Sequence, residues 1–296
     1  MSSPFVGWDT LGFEEFWDKS KRGQRDRWEW YRGLFRSSLN ELDIKLFKSW
    51  YLVRGIPLWG GNWYNENDKK THFDKINTFL IENKEERWRE ILKEDMSFYS
   101  DPDHAQAEDV NGINTEHSRV RYFFHWSTLY EHGIDAKNLD YIFEFGGGVG
   151  HVPKLVKQLG FGGTYTIYDL PELSIIQNYY NNMEIKTISD PCLLDVLQIP
   201  RGKNLFYSTW ALSESPINIR EKIENHFDKF DLFLILYQAK YTTVGKNEEE
   251  IIDNDKYFGD LMKRTAGINW KVVEHPNGWD GGSKYIIGVR QKKPLR

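Results

Sequence analysis

Apolar and polar positions divide the 296-residue chain into two parts. Up to about residue 139 the apolar positions recur at helical spacing and form no convincing series of strands. The pattern predicts helices near 24–37, 40–53, 71–83, 84–95 and 115–132. In the second of these, Leu42, Leu46, Trp50 and Val53 keep the spacing of one helix face. Gly55, Pro57, Gly60, Gly61 and Asn62 then predict a loop that carries Trp59 and Trp63, and Gly133 suits a helix C-cap. From 140 onward, short apolar runs alternate with helical patterns. Strands are expected near 141–145, 164–168, 184–188, 203–208, 230–237, 270–275 and 284–290, and helices near 150–160, 171–182, 216–228 and 248–265. Such alternation implies a parallel sheet covered by helices on both faces. The last two strands are joined by a short Pro- and Gly-containing link, which suits an antiparallel hairpin. The expected architecture is therefore α/β, a Rossmann-like sheet with a terminal antiparallel hairpin, preceded by a helical N-terminal region. Residues 1–139 read as a lid and acceptor region, and 140–296 as the ligand-binding domain.

The sharpest break in the pattern is at 141–153. A β-prone run, Tyr141-Ile142-Phe143-Glu144-Phe145, meets glycines at 146, 147, 148 and 150, and a helical pattern follows with Val152, Leu155, Val156 and Leu159. Pro153 is tolerated only in a first helical turn. The glycines thus make a tight turn from a strand end to a helix start, where a ligand can approach bare backbone. Dinucleotide enzymes place pyrophosphate on G-x-G-x-x-G, but here the spacing is G-x-G-x-G and position 151 is His. Glu144 would repel pyrophosphate and suits an ammonium group. The run E-x-G-x-G-x-G over Glu144, Gly146, Gly148 and Gly150 resembles the first motif of class I methyltransferases. That resemblance implies S-adenosyl-L-methionine as cofactor and S-adenosyl-L-homocysteine as product.

In an open α/β sheet, ligands sit beyond the carboxyl ends of the strands. Asp169 and Leu170 follow the second expected strand, with room for one helix after Glu144, so the Asp169 carboxylate is placed to accept ribose hydroxyls. It also suits a helix N-cap. After the third strand comes Ser189-Asp190-Pro191-Cys192-Leu193-Leu194, where Asp190 can meet the adenine amino group and Leu193 or Leu194 the ring. After the fourth come Ser208, Trp210, Ser213 and Glu214, facing the place where acceptor and sulfonium meet; Gln238 follows the fifth. Arg121, on the helix before the first strand, can reach a carboxylate, for which arginine is well shaped.

The segments Glu-Phe-Gly-Gly-Gly, Asp-Leu-Pro and Ala-Leu-Ser-Glu together resemble the sugar O-methyltransferase family, over residues from about 140 to 240. The resemblance implies methyl transfer to a hydroxyl of a sugar, nucleotide sugar or glycan. In that family an aromatic residue often stands where this chain has Val149, and a basic one where it has His151. A weakly acidic sugar hydroxyl calls for a general base, and His151, Glu214 and His275 are the candidates. Trp59, Trp63 and Trp210 are candidate platforms for a sugar face. Transfer to a non-sugar small molecule, and a non-catalytic binding protein of the same fold, are the alternatives.

Composition narrows the field. The net charge of −5, with acids and bases interspersed, gives no basic patch for nucleic acid. Cys192 is the only cysteine, which excludes a disulfide framework and a cysteine zinc site. The acids near Asp101, Asp103, His104, Glu108 and Asp109 match no metal-loop spacing, so no metal is expected. No apolar run approaches the ~20 residues of a membrane span, and no signal peptide is visible. A cytoplasmic protein is expected, with the N-terminal helices either covering the acceptor or forming a homodimer interface.

Overall fold

A computed structural model describes residues 24–49, 66–93, 97, 108–110, 112–115, 117–244, 249–265, 267–274 and 283–291. The chain forms two compact units, one of Met1–His132 with Lys154–Gly160, the other of Gly133–Pro153 with Phe161–Arg296.

In the first unit, α1 (Gln24–Glu41) is followed by a short 3-10 segment at Ile44–Ser49, then α2 (Glu66–Glu82) and α3 (Glu86–Glu90). A small hairpin, β1 (Glu108–Val110) with β2 (Ile113–Thr115), precedes α4 (His117–Glu131). The tight core comes from aromatic edges meeting faces: Phe79 lies 4.8 Å from Trp88 and 5.3 Å from Phe123, ring centre to ring centre, both edge-on. Two expectations change here. The helix expected over 40–53 is, as far as Ser49, a 3-10 turn kinked at Leu46. The strand-poor region holds the β1–β2 hairpin, which takes in Glu108 and Asp109; Asp101, Asp103 and His104 lie outside the described residues.

The second unit is built on a seven-stranded sheet of β3 (Tyr141–Phe145), β4 (Thr164–Tyr168), β5 (Lys186–Ile188), β6 (Asn204–Thr209), β7 (Leu232–Tyr237), β10 (Ile268–Glu274) and β11 (Lys284–Arg290). Their order is β10-β11-β7-β6-β3-β4-β5. The five from β5 to β7 run parallel, and β11 is antiparallel to both β7 and β10. This is the α/β sheet with a terminal antiparallel pair that the sequence predicts. Residues on both faces of β3 and β7 are buried along their whole length, as a central strand covered by helices requires. On one face Phe143, Phe206, Phe227, Phe230 and Phe233 pack with Leu212, Phe258 and Leu261. Helices α6 (Pro171–Tyr180), α7 (Ala211–Glu214), α8 (Ile217–Glu224) and α9 (Asn254–Arg264) complete this unit with a separate hairpin of β8 (Lys240–Val244) and β9 (Glu249–Asp253), while α5 (His151–Gln158) starts in it and continues into the first unit from Lys154. That hairpin takes the start of the helix expected over 248–265, which instead begins at Asn254, capped by Asp253 on the Lys256 N–H.

The chain leaves β3 to one side for β4 and β5 and returns across to β6. The switch point is therefore between β3 and β6, and the turns that follow these two strands form the ligand crevice of such a sheet.

Candidate functional site

The turn after β3 is glycine by steric necessity. Gly146 has φ +82°, and a Cβ there would lie 2.0 Å from the Cβ of Ala211, in the turn after β6. The two turns on either side of the switch point are thus in backbone contact. Ser208 fastens them: its hydroxyl donates to the Phe145 carbonyl at 3.0 Å and accepts the Leu212 N–H at 3.1 Å. Ser208 is fully buried in this role.

The amide groups of the turn point inward. Gly146 N–H donates to the Tyr168 carbonyl at 2.8 Å, and Gly150 N–H to the Gly147 carbonyl at 2.9 Å. Gly148 N–H donates to Asp169 Oδ2 at 2.8 Å, and the Gly147 N–H, close to the same carboxylate, also favours its charge. Asp169 further accepts the Leu170 N–H at 2.7 Å and the Gln177 amide at 2.9 Å. A carboxylate offers about four acceptor positions, and the chain itself takes up three of them at Asp169. The N-cap of α6 is Leu170 rather than Asp169, with Pro171 in the first turn. The glycine N–H groups of 146, 148 and 150 are therefore engaged within the chain rather than presented to an anion. The oriented donors that hold a pyrophosphate are spent on backbone carbonyls and on the protein's own carboxylate.

Glu144 lies beneath the turn, 1% exposed, and accepts the Tyr165 hydroxyl at 2.8 Å. Burial raises its carboxyl to about 8, against the Tyr165 bond and with help from the Asp169 charge. Burial likewise raises Asp169 to about 7, opposed by the four donors named above. The Tyr168 phenol is pushed up to about 12 by burial and by Asp169 and Asp190. Two carboxyls thus sit at the mouths of adjacent strands with their ionised forms disfavoured. A cationic or hydroxyl-bearing ligand would favour the ionised forms, and an anion would oppose them.

Helix α6 braces the turn through residues that sequence reasoning missed. Gln177 donates to the Gly148 carbonyl at 2.8 Å, and Asn181 to the Gly150 carbonyl at 3.0 Å. A Cβ on Gly150 would come within 2.8 Å of the Asn181 amide, so helix and turn are flush. The signal in the sequence is faint: two amides four apart on a helix stripe otherwise made of Leu173, Ile176 and Tyr180.

The other expected residues are spread over several elements. His151 opens α5, is 6% exposed and meets the edge of Tyr180 at 5.5 Å. Asp190 is exposed and caps a 3-10 turn through the Cys192 N–H at 2.8 Å; of the two leucines, Leu194 belongs to the core and Leu193 is exposed. Trp210 follows β6 with a positive φ, at φ 63° and ψ −40°, a position a bulky side chain rarely takes and one that marks stored strain. Its N–H donates to the Leu236 carbonyl at 2.8 Å and its indole reaches Ser283 at 3.5 Å. Ser213 is fully buried, its hydroxyl turned back to the Trp210 carbonyl at 2.6 Å. Glu214 ends α7 and is half-buried, as is Gln238. The fully buried Arg220 joins the Ser215 carbonyl, the Ser213 carbonyl and Asn254 Oδ1, while Asn254 reaches the Gln238 carbonyl at 2.9 Å. One buried network therefore sets the turns after β6 and β7. Arg121 lies in the first unit, buried on α4. His275, Trp59 and Trp63 lie outside the described residues. Among the described residues no group of three or more His, Cys, Asp or Glu side chains is placed to hold a metal ion, and no helix is long and apolar enough to cross a membrane.

No protein-family model matches the chain. No curated protein matches it either. Solved structures resemble parts of it. An S-adenosylmethionine-dependent methyltransferase from Mesorhizobium loti matches at 14% identity and a TM-score of 0.41, covering 57% of this chain and 98% of that one. The 1,6-didemethyltoxoflavin-N1-methyltransferase of Burkholderia thailandensis, solved with S-adenosylhomocysteine, matches at 12% identity and 0.41, covering 57% and 77%. A glycopeptide N-methyltransferase matches at 9% identity and 0.41, covering 57% and 94%.

Proposed function

We propose that the chain is an S-adenosyl-L-methionine-dependent methyltransferase that methylates a hydroxyl of a sugar, nucleotide sugar or glycan. The observation that carries this reading is the direction of the hydrogen bonds in the glycine turn. Its amides are engaged from within, by Asp169 and by backbone carbonyls, and two carboxyls flank it. That arrangement disfavours a dinucleotide pyrophosphate and suits a ligand with an ammonium group and a ribose diol. The turn of Gly146–Gly150 would meet the amino-acid end, with the Glu144 charge beneath it favouring the ammonium, Asp169 would accept a ribose hydroxyl, and Asp190 and Leu193 would border the base. When bound, the cofactor supplies a methyl group already activated on a sulfonium.

What remains for the chain is to place the acceptor oxygen in line, exclude water and take the hydroxyl proton. The turn after β6 is suited to this work. The Trp210 backbone N–H is fixed by the Leu236 carbonyl, and an indole face matches the apolar face of a sugar ring. Glu214 stands four residues on, with part of its surface open, and is the described candidate for proton acceptor on the acceptor side. His151 is packed against Tyr180 beside the cradle, which suits it to the cofactor side. The sugar acceptor rests on the resemblance of the Glu-Phe-Gly-Gly-Gly, Asp-Leu-Pro and Ala-Leu-Ser-Glu segments, and Trp210 supports it.

The test is methyl transfer from isotopically labelled S-adenosyl-L-methionine to a panel of nucleotide sugars, oligosaccharides, phenols and amines. Label is expected in a sugar, with turnover lowered ~10²–10⁴-fold by Glu214→Gln. Label confined to phenols or amines would contradict the sugar acceptor.

A further inference from the structure

Gln177 stands apart from the other polar groups of the second unit. It is fully buried in the middle of α6, on the stripe that carries Leu173, Ile176 and Tyr180. Its single amide nitrogen bridges two groups of the glycine turn, the Gly148 carbonyl at 2.8 Å and Asp169 Oδ2 at 2.9 Å. Gly148 in turn donates its N–H to the same Asp169 oxygen at 2.8 Å. Both polar groups of Gly148, a residue at φ 56°, are therefore fixed by one closed set of three residues. Interchanging the amide oxygen and nitrogen of Gln177 would set a carbonyl against two acceptors, so its neighbours fix the orientation. The Gln177 Oε1 atom is buried and has no hydrogen-bond partner among the described residues. An unsatisfied buried acceptor is costly, and here that cost accompanies the placing of the donor.

We infer that Gln177 is a positioning residue of the cofactor site, setting the Asp169 carboxylate and the Gly148 peptide together for the ribose end of the ligand. The inference rests on the reading of the site as one for S-adenosyl-L-methionine. Gln177 acts through Asp169 and the turn. It supplies no proton and touches no reacting atom.

A conservative replacement separates this role from simple packing. Gln177→Glu keeps the shape but replaces the donor with a carboxyl about where the amide now meets Asp169. Two carboxyls so close cannot both ionise; at low pH they share one proton and keep the bridge, and at higher pH they repel. The other titratable groups around the turn are Glu144 from β3, Tyr165 and Tyr168 from β4, Asp190 after β5 and His151 from α5. Of these, Glu144 and Asp169 give the unaltered protein the opposite trend, since ligand binding to ionised carboxylates strengthens as pH rises.

The experiment is calorimetric titration with S-adenosylhomocysteine at pH 6 and pH 8. The proteins are wild type, Gln177→Glu and Gln177→Met, each checked for folding by near-ultraviolet circular dichroism. Gln177→Met is expected to bind ~10-fold or more weakly than wild type at both pH values, the loss of a hydrogen bond to a charged group. Gln177→Glu is expected to approach wild type at pH 6 and to fall ~10-fold or more behind it at pH 8. Equal affinity of wild type and Gln177→Met overturns the inference, as does a Gln177→Glu protein whose ratio to wild type does not change with pH. If wild type itself does not bind, the reading of the site fails first and the inference falls with it.

Discussion

Glu144 is the residue whose chemistry is most exposed to a simple measurement. Folding raises its carboxyl from the ordinary 4.5 to about 8, chiefly by burial, and raises Asp169 from 3.8 to about 7. In the window between the ordinary carboxylate range and about pH 8, the folded chain therefore holds protons that the unfolded chain has released. Stability contributed by these groups is greatest below pH 4 and falls as pH rises towards 8. Raising a carboxyl by a single pH unit corresponds to about 1.4 kcal/mol, so even part of the rise at Glu144 is worth a few kcal/mol. Glu144→Gln keeps an acceptor for Tyr165 and removes the titration. Urea unfolding at pH 5 and pH 8.5 is expected to show a gain in stability for the variant at the higher pH relative to the lower. An unchanged difference between variant and wild type at the two pH values would show that burial does not hold Glu144 protonated. The acidic residue before the glycines is legible in the sequence, because its spacing from a strand end and a glycine cluster is a local pattern. Gln177 and Asn181 are not legible, because an amide on a helix carries no chemistry until its partner across the turn is known.

The elements that matter most are the two turns at the switch point. Gly146 and Ala211 approach so closely that any side chain at 146 displaces one of them. Gly146→Ala adds an L-residue at positive φ, about 1–2 kcal/mol, and overpacks the contact, about 1–3 kcal/mol. A loss of roughly 2–5 kcal/mol is expected in chemical denaturation, together with loss of S-adenosylhomocysteine binding. The double variant Gly146→Ala with Ala211→Gly is expected to recover the overpacking part and leave the backbone strain. Additive effects of the two changes would mean that the turns do not press on each other. The strand–glycine–helix run is readable because apolar period and backbone-permissive residues coincide there. The β8–β9 hairpin is not, because Glu249 and Glu250 sit in a run whose apolar spacing continues into α9, so helix periodicity extends over a strand. Trp210 is readable as a candidate from its place after a strand, whereas its positive φ and its bond to the Leu236 carbonyl, a contact distant in sequence, are not.

At the scale of the whole molecule, the sheet order determines which loops can meet. The return of the chain from β5 to β6 places the turns after β3 and β6 side by side, and β11 enters antiparallel between β7 and β10 to close the sheet. Alternation of strand and helix patterns is enough to expect this class, since covered parallel strands need continuous apolar runs and their crossovers need helices. The first unit is legible only as helical, because its packing is aromatic edge on aromatic face, which leaves no periodic signature. Glu144 lies buried beneath the glycine turn, Asp169 stands at the next strand end, and glycine amides of the turn point inward; on these features the choice of ligand depends. Titration calorimetry of the full chain with S-adenosylhomocysteine and, separately, with NAD tests that choice most directly. Binding of S-adenosylhomocysteine, with no heat from NAD under the same conditions, is the expected result. Binding of NAD with none of S-adenosylhomocysteine, in folded and ligand-free protein, would contradict it.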